Sequence, residues 1–144
     1  DCDSYPELES ALGMKPKYVG ISGIEEKNHI IELNSEKEVR ELKPDFTLLS
    51  KIPKSGIIVT ALSESNDYDF VSRYFTPAHG INEDPVTGSA HCSLTPYWSK
   101  KLGKSEMNAY QASARGGMIK VKLSGDRVLL TGKAVTVLKG DLLI

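Results

Sequence analysis

Phe75-Thr76-Pro77-Ala78-His79-Gly80-Ile81-Asn82-Glu83-Asp84-Pro85-Val86-Thr87-Gly88-Ser89-Ala90-His91-Cys92 is the stretch that decides the reading of this chain. It passes from strand to loop to helix. Residues 69–75 alternate, with Phe70, Ser72 and Tyr74 on one face and Val71, Arg73 and Phe75 on the other, the period-two pattern of a strand. Thr76–Thr87 is rich in Pro, Gly and Asn and reads as a loop. From Gly88 onward Ala90, Leu94, Tyr97, Trp98 and Leu102 recur at helical spacing, and Gly103 closes the run. The spacing predicts a helix over about 88–102. Pro96 interrupts it at a cost of about 3 kcal/mol, so a kink is expected there.

The junction at Thr87–Ala90 carries the chemistry. Thr87 or Ser89 can cap the helix. Gly88, Ser89 and Ala90 lack bulk, so a ligand can reach the backbone. The first N–H groups of a helix have no internal acceptor and sit at the positive end of its dipole, which suits a carboxylate or phosphate. Glu83 and Asp84 stand just before that terminus, placed to act as acid or base over a bound anion. Local physics alone also allows a plainer reading, a well-capped helix with two acids set against its dipole.

Upstream, residues 6–13 read as a short helix ending at Gly13, and Tyr18–Ile21 and Asn28–Leu33 as strands with a turn between them. Ser35 and Glu38 form a capping box for a helix that must stop near Lys43, ahead of Pro44. Phe46, Leu48 and Leu49 suggest a helical turn, and Gly56–Ala61 a buried strand. Downstream, Ala109–Ser113, Met118–Leu123, Arg127–Thr131 and Ala134–Leu138 read as strands joined by Gly-containing turns. The sum is an α+β domain: a curved, largely antiparallel, barrel-like sheet wrapped around one central helix.

Composition bounds the function. With 144 residues, 40% hydrophobic and 26% charged, the chain is long enough for one domain, 1–144, with its own core. A net charge of −1 from 18 basic and 19 acidic residues gives no footprint for nucleic acid. No apolar run approaches a membrane span. Two distant cysteines, Cys2 and Cys92, make no disulfide framework, and a cytoplasmic setting is expected. The chain starts at Asp1, and its first residues read like the middle of a protein, so a longer parent is expected.

The motif resembles the PhzF-like (phenazine-biosynthesis-like) family, whose C-terminal half carries a GxxEDPxTGSA signature. Gly80, Glu83, Asp84, Pro85, Thr87, Gly88, Ser89 and Ala90 match it. Gln111-Ala112-Ser113-Ala114-Arg115-Gly116-Gly117 is a second family-like block, and residues 68–75 and 135–142 also fit. The resemblance is close over roughly 40–144 and looser before. It implies one half of a diaminopimelate-epimerase-like fold, with two similar halves and a cleft between them. It implies cofactor-free isomerase or epimerase chemistry on a small carboxylate-bearing metabolite, with the principal glutamate in an N-terminal half absent here. Asp84 then matches the catalytic acid of the C-terminal motif. Gly88, Ser89 and Ala90, with Gln111 and Arg115, are the expected substrate contacts, and Glu83 and His91 are further candidates.

The remaining polar residues have plainer readings. Cys92 is expected to be a small buried hydrophobe, Arg73 the partner of an acid, Tyr97 and Trp98 core, and His79 a solvated loop residue. Three scattered histidines argue against a metal site, and no cofactor is expected. The partners implied are the N-terminal half-domain and a second copy in a homodimer. A non-catalytic binding or interaction domain of the same fold is the competing function, and a hot-dog-like acyl-thioester enzyme a third.

Overall fold

Strand β3 (Ile57–Leu62) shows how the chain divides its core. Ile57, Val59 and Ala61 point to one face of the sheet, and Ile58 and Thr60 to the other; all five are buried. A strand buried on both faces needs a layer on each side. The computed structural model, which describes residues 6–23, 27–52 and 56–141, supplies both layers.

On one side lie three short helices, α1 (Pro6–Leu12), α2 (Glu36–Glu41) and α3 (Phe46–Leu49). Leu8, Leu12, Val39, Leu42 and Leu49 from this layer pack on Ile31, Val59, Val71 and Phe75 of the sheet. On the other side lies α4 (Gly88–Leu102), whose Ala90, Leu94 and Trp98 fill the hollow of the curled, half-barrel sheet against Ile58, Phe70, Ala109, Ile119 and Val121. Trp98 stacks on Phe70 with ring centroids 5.8 Å apart, and its indole N–H donates to Thr60 Oγ1 at 3.0 Å. The expected central helix therefore has the expected bounds. It is not the sole helical layer, because the convex face must also be covered.

The sheet contains β1 (Tyr18–Ser22), β2 (Asn28–Glu32), β3, β4 (Phe70–Thr76), β5 (Ile81–Glu83), β6 (Glu106–Gln111), β7 (Gly117–Ser124) and β8 (Arg127–Thr131). Its order is β1-β2-β3-β4-β6-β7-β8, with β5 also on β4. Pairing is parallel at β2–β3 and β4–β6 and antiparallel elsewhere, so the sheet is mixed. One edge of β4 is shared: Phe70–Ser72 pair with β6, while Phe75 and Thr76 pair with β5. The chain leaving β5 thus passes over the end of β6, which places the motif loop there.

Several local expectations are corrected. The Thr76–Thr87 loop contains a 3₁₀ turn (Pro77–His79) and β5. Ser35 accepts from Glu38 N at 3.1 Å as a cap should, but the Glu38 carboxylate takes the N–H of Asn34 rather than that of Ser35. Helix α4 runs unbroken through Pro96, which lies on its exposed side. Ala134–Leu138 is not a strand: Val135, Val137 and Leu138 are more than four-fifths exposed and pair with nothing among the described residues. Cys2 and part of the turn expected before Asn28 lie outside the described residues. No helix among the described residues is long and apolar enough to cross a membrane.

Candidate active site

Glu83 and Asp84 are neighbours in sequence and part company in the fold. Glu83 ends β5 and turns to Arg73 on β4, whose Nε and Nη2 donate to its two carboxylate oxygens at 2.7 and 2.9 Å. The same guanidinium donates through Nη1 to the carbonyls of Leu42 (2.7 Å) and Val39 (3.2 Å) at the end of α2, and lies over the Phe75 ring. Such a two-pronged, largely enclosed pair ties β5 to the helical layer.

Asp84 faces the other way. Its N–H donates to the Tyr74 carbonyl at 3.0 Å, and its Oδ2 accepts a short hydrogen bond from the Thr87 hydroxyl. Oδ1 has no partner among the described residues. Thr87 is the N-cap of α4 by backbone conformation, with φ −111° and ψ 107°, yet its side chain caps nothing in the helix. The hydroxyl that would satisfy an N–H of the first turn is spent on Asp84. The N–H groups of Gly88, Ser89 and Ala90 are therefore uncapped at the positive end of a 15-residue helix. Gly88 and Ser89 are exposed, and Ala90 is buried in the core behind them.

The second family-like block braces the first. Gln111, at the end of β6, is fully buried. Its Oε1 accepts from Thr87 N at 2.7 Å, and its Nε2 donates to the Asp84 carbonyl at 2.6 Å and to Thr87 Oγ1 at 3.2 Å. Ser113 Oγ donates to the Pro85 carbonyl at 2.7 Å and accepts from Gly116 N. Gly117 lets the loop close on β7, since a Cβ there would stand 2.5 Å from Val86 Cγ2. Gln111 was expected at the ligand; both ends of its amide are engaged by the loop, so it acts on the site from behind. Arg115 is exposed and makes no ion pair among the described residues.

His91 is fully buried one turn into α4. Its Nδ1 meets the Thr87 carbonyl at 2.7 Å, so this nitrogen carries the proton, and burial holds the ring's pKa below its ordinary value of 6.5. It faces no cleft. Cys92, expected to be buried, is exposed, because it falls on the side of the helix away from the sheet. His79 is exposed and shares a 2.7 Å contact with Thr76 Oγ1. A concavity of about 400 Å³ lined by Glu36, Lys37, Arg40, Glu41, Glu64 and Ser65 lies on the α2 side of the sheet. None of its lining residues belongs to the motif, and Glu36 among them is saturated by Tyr68, Arg40 and the Glu64 N–H.

The sequence reading missed two features. One is the Thr87-to-Asp84 bond, which the i, i+3 spacing of a hydroxyl and a carboxylate could have suggested. The other is Leu130 on β8, whose Cδ1 lies 3.5 Å from the point where a Gly88 Cβ would stand. Only the β7–β8 register brings it there.

Comparison with known proteins places the fold in a family. An uncharacterized isomerase of Halalkalibacterium halodurans is 57% identical over 97% of this chain and 52% of its own length. A second, from Pseudomonas aeruginosa, is 50% identical over 93% of this chain and 49% of its own. The chain thus spans about half the length of these curated relatives. A PhzF-family crystal structure from Enterococcus faecalis superposes with a TM-score of 0.87 at 39% identity, over 99% of this chain and 53% of that one. A putative phenazine biosynthesis PhzC/PhzF protein from Clostridium difficile gives 0.82 at 41% identity, with the same coverage. With the phenazine biosynthesis-like family model matching residues 7–140, the chain belongs to the PhzF family.

Proposed function

We propose that this chain is one wall of a cofactor-free isomerase site for a small carboxylate-bearing metabolite. The observation that carries the reading is an uncapped helix start beside Asp84, whose Oδ2 is held by the Thr87 hydroxyl while Oδ1 has no partner among the described residues. The N–H groups of Gly88, Ser89 and Ala90, with the Ser89 hydroxyl, would clamp the substrate carboxylate. Asp84 would present Oδ1 to the carbon skeleton as the acid or base, or as its partner. Removing a proton from a carbon beside a carboxylate moves charge toward that carboxylate, and preformed donors at a helix terminus stabilise the change where it develops. The proton returns at another carbon or the other face, so no atom is gained or lost and no redox partner is required.

The other wall, with the principal glutamate, would come from an N-terminal half in a diaminopimelate-epimerase-like pair of halves. Relatives twice as long as this chain, and the exposed apolar run at Val135–Leu138, support that reading. The test is deuterium incorporation from solvent into the substrate of the full-length protein, wild type against Asp84→Asn. Loss of at least a hundredfold in the exchange rate is expected; an unchanged rate would leave the fold as a binding module and remove Asp84 from catalysis.

A further inference from the structure

Ser72 Oγ on β4 and His91 Nε2 on α4 are buried polar atoms with no hydrogen-bond partner among the described residues. Ser72 is 1% exposed and His91 0%. The proposed acid and clamp use neither. A polar atom taken out of water is nearly always met by another protein group or by ordered solvent, because leaving it unmet forfeits its hydration.

The fold brings both atoms into one hollow. Thr60, Ser72 and Gln111 are register partners across β3, β4 and β6, so they form a single row on the sheet. The row faces α4, since Trp98 donates to Thr60 Oγ1 at one end and Gln111 takes the Thr87 N–H at the other. Helix α4 therefore crosses the row from Thr87 to Trp98, and Ser72 lies beneath the turns between. Those turns carry His91 and Leu94, both fully buried. The His91 ring stacks on Phe70, the same-face neighbour of Ser72 on β4, with centroids 6.2 Å apart. Leu94 has no polar side-chain atom to offer. The outer members of the row are engaged: Thr60 Oγ1 donates to the Val71 carbonyl, and both ends of the Gln111 amide are held by the motif loop.

The two atoms suit one ligand between them. Nδ1–H of His91 donates to the Thr87 carbonyl, which leaves Nε2 as a lone-pair acceptor. The Ser72 hydroxyl can donate or accept. What fits is a small molecule that donates to the nitrogen and bonds the hydroxyl as well. Water does both, and buried waters are held by roughly two to four such bonds. We infer that a single water molecule is bound in the hollow between Ser72 Oγ and His91 Nε2, donating one O–H to the imidazole. It pins the ring at its second nitrogen, and the ring in turn holds the Thr87 carbonyl.

The experiment is a crystal structure of the full-length protein with its ordered solvent, wild type and Ser72→Ala, together with nitrogen NMR of the His91 ring in solution. In the wild type, solvent density is expected about 3 Å from both atoms. In Ser72→Ala that density should be lost while the His91–Thr87 bond stays. The ring should carry its proton on Nδ1, and the Nε2 signal should move in the variant toward that of a nitrogen accepting no hydrogen bond. A direct Ser72–His91 bond, no density between the two atoms, density that survives Ser72→Ala, or a proton on Nε2 would each overturn the inference. The wild-type density and ring tautomer decide the matter even where Ser72→Ala fails to fold.

Discussion

Gln111 holds Thr87 and Asp84 at once: its buried amide takes the Thr87 N–H at 2.7 Å and gives its own N–H to the Asp84 carbonyl at 2.6 Å. The loop that carries Asp84 and the start of α4 are thereby set by one side chain from another strand. Replacing Gln111 by Leu leaves two buried backbone groups unpaired, at about 1–3 kcal/mol each. Chemical denaturation should show a loss of roughly 2–6 kcal/mol on that basis. A loss under 1 kcal/mol would mean that water or the backbone can take over the brace.

Gly88→Ala separates stability from function. The helix start gains a better helix former, so the folded protein should gain a few tenths to about 1 kcal/mol. A methyl on the clamp floor should weaken carboxylate binding at least tenfold. Denaturation midpoints and binding isotherms on the same sample decide the matter, and destabilisation would show that the glycine serves packing after all.

Glu83 and Asp84 should respond oppositely to amide substitution. Glu83→Gln breaks the enclosed pair with Arg73 and should cost roughly 1–3 kcal/mol of stability, with turnover per folded molecule nearly kept. Asp84→Asn should leave stability within about 1 kcal/mol and remove turnover. Reversed outcomes would exchange the roles of the two acids.

His91 and His29 are both held below the ordinary histidine pKa of 6.5 by burial. The unfolded chain then binds protons that the folded chain refuses, so stability rises with pH through this window. The contribution is complete above 6.5, falls as pH drops below it, and is gone once pH passes the folded values. An NMR titration of the His91 ring should show a midpoint below 6.5, and a midpoint at or above 6.5 would contradict the burial of the ring.

Met118, Leu129, Val135, Val137 and Leu138 are exposed in this chain. Apolar surface of that extent should drive self-association. Sedimentation of residues 1–144 alone should report a dimer or larger species, and a monodisperse monomer would contradict the expectation.

Much of this was legible in the sequence because it is local. The helix at 88–102, the faces of 70–75 and the cap at Ser35 follow from periodicity and short-range hydrogen bonding, and each stands as read. The Arg73 pairing was also anticipated, since a charged residue in a strand flanked by core must find a counter-charge. What the sequence could not show depends on register and on layers. Gln111 looked like a ligand contact because its reach to Thr87 requires β6 to lie beside β4. Cys92 looked buried because small residues usually are, and the rotation of α4 about Trp98 and Leu94 turned it outward. Ala134–Leu138 has a strand's alternation yet pairs with no strand among the described residues.

The most direct test is a crystal structure of the full-length protein with a non-reacting carboxylate analogue of its substrate. Carboxylate oxygens are expected about 3 Å from the backbone nitrogens at Ser89 and Ala90, with Asp84 Oδ1 facing the adjacent carbons and Glu83 still on Arg73. An analogue bound with its carboxylate elsewhere, or with Glu83 swung off Arg73 to meet it, would overturn the proposed site.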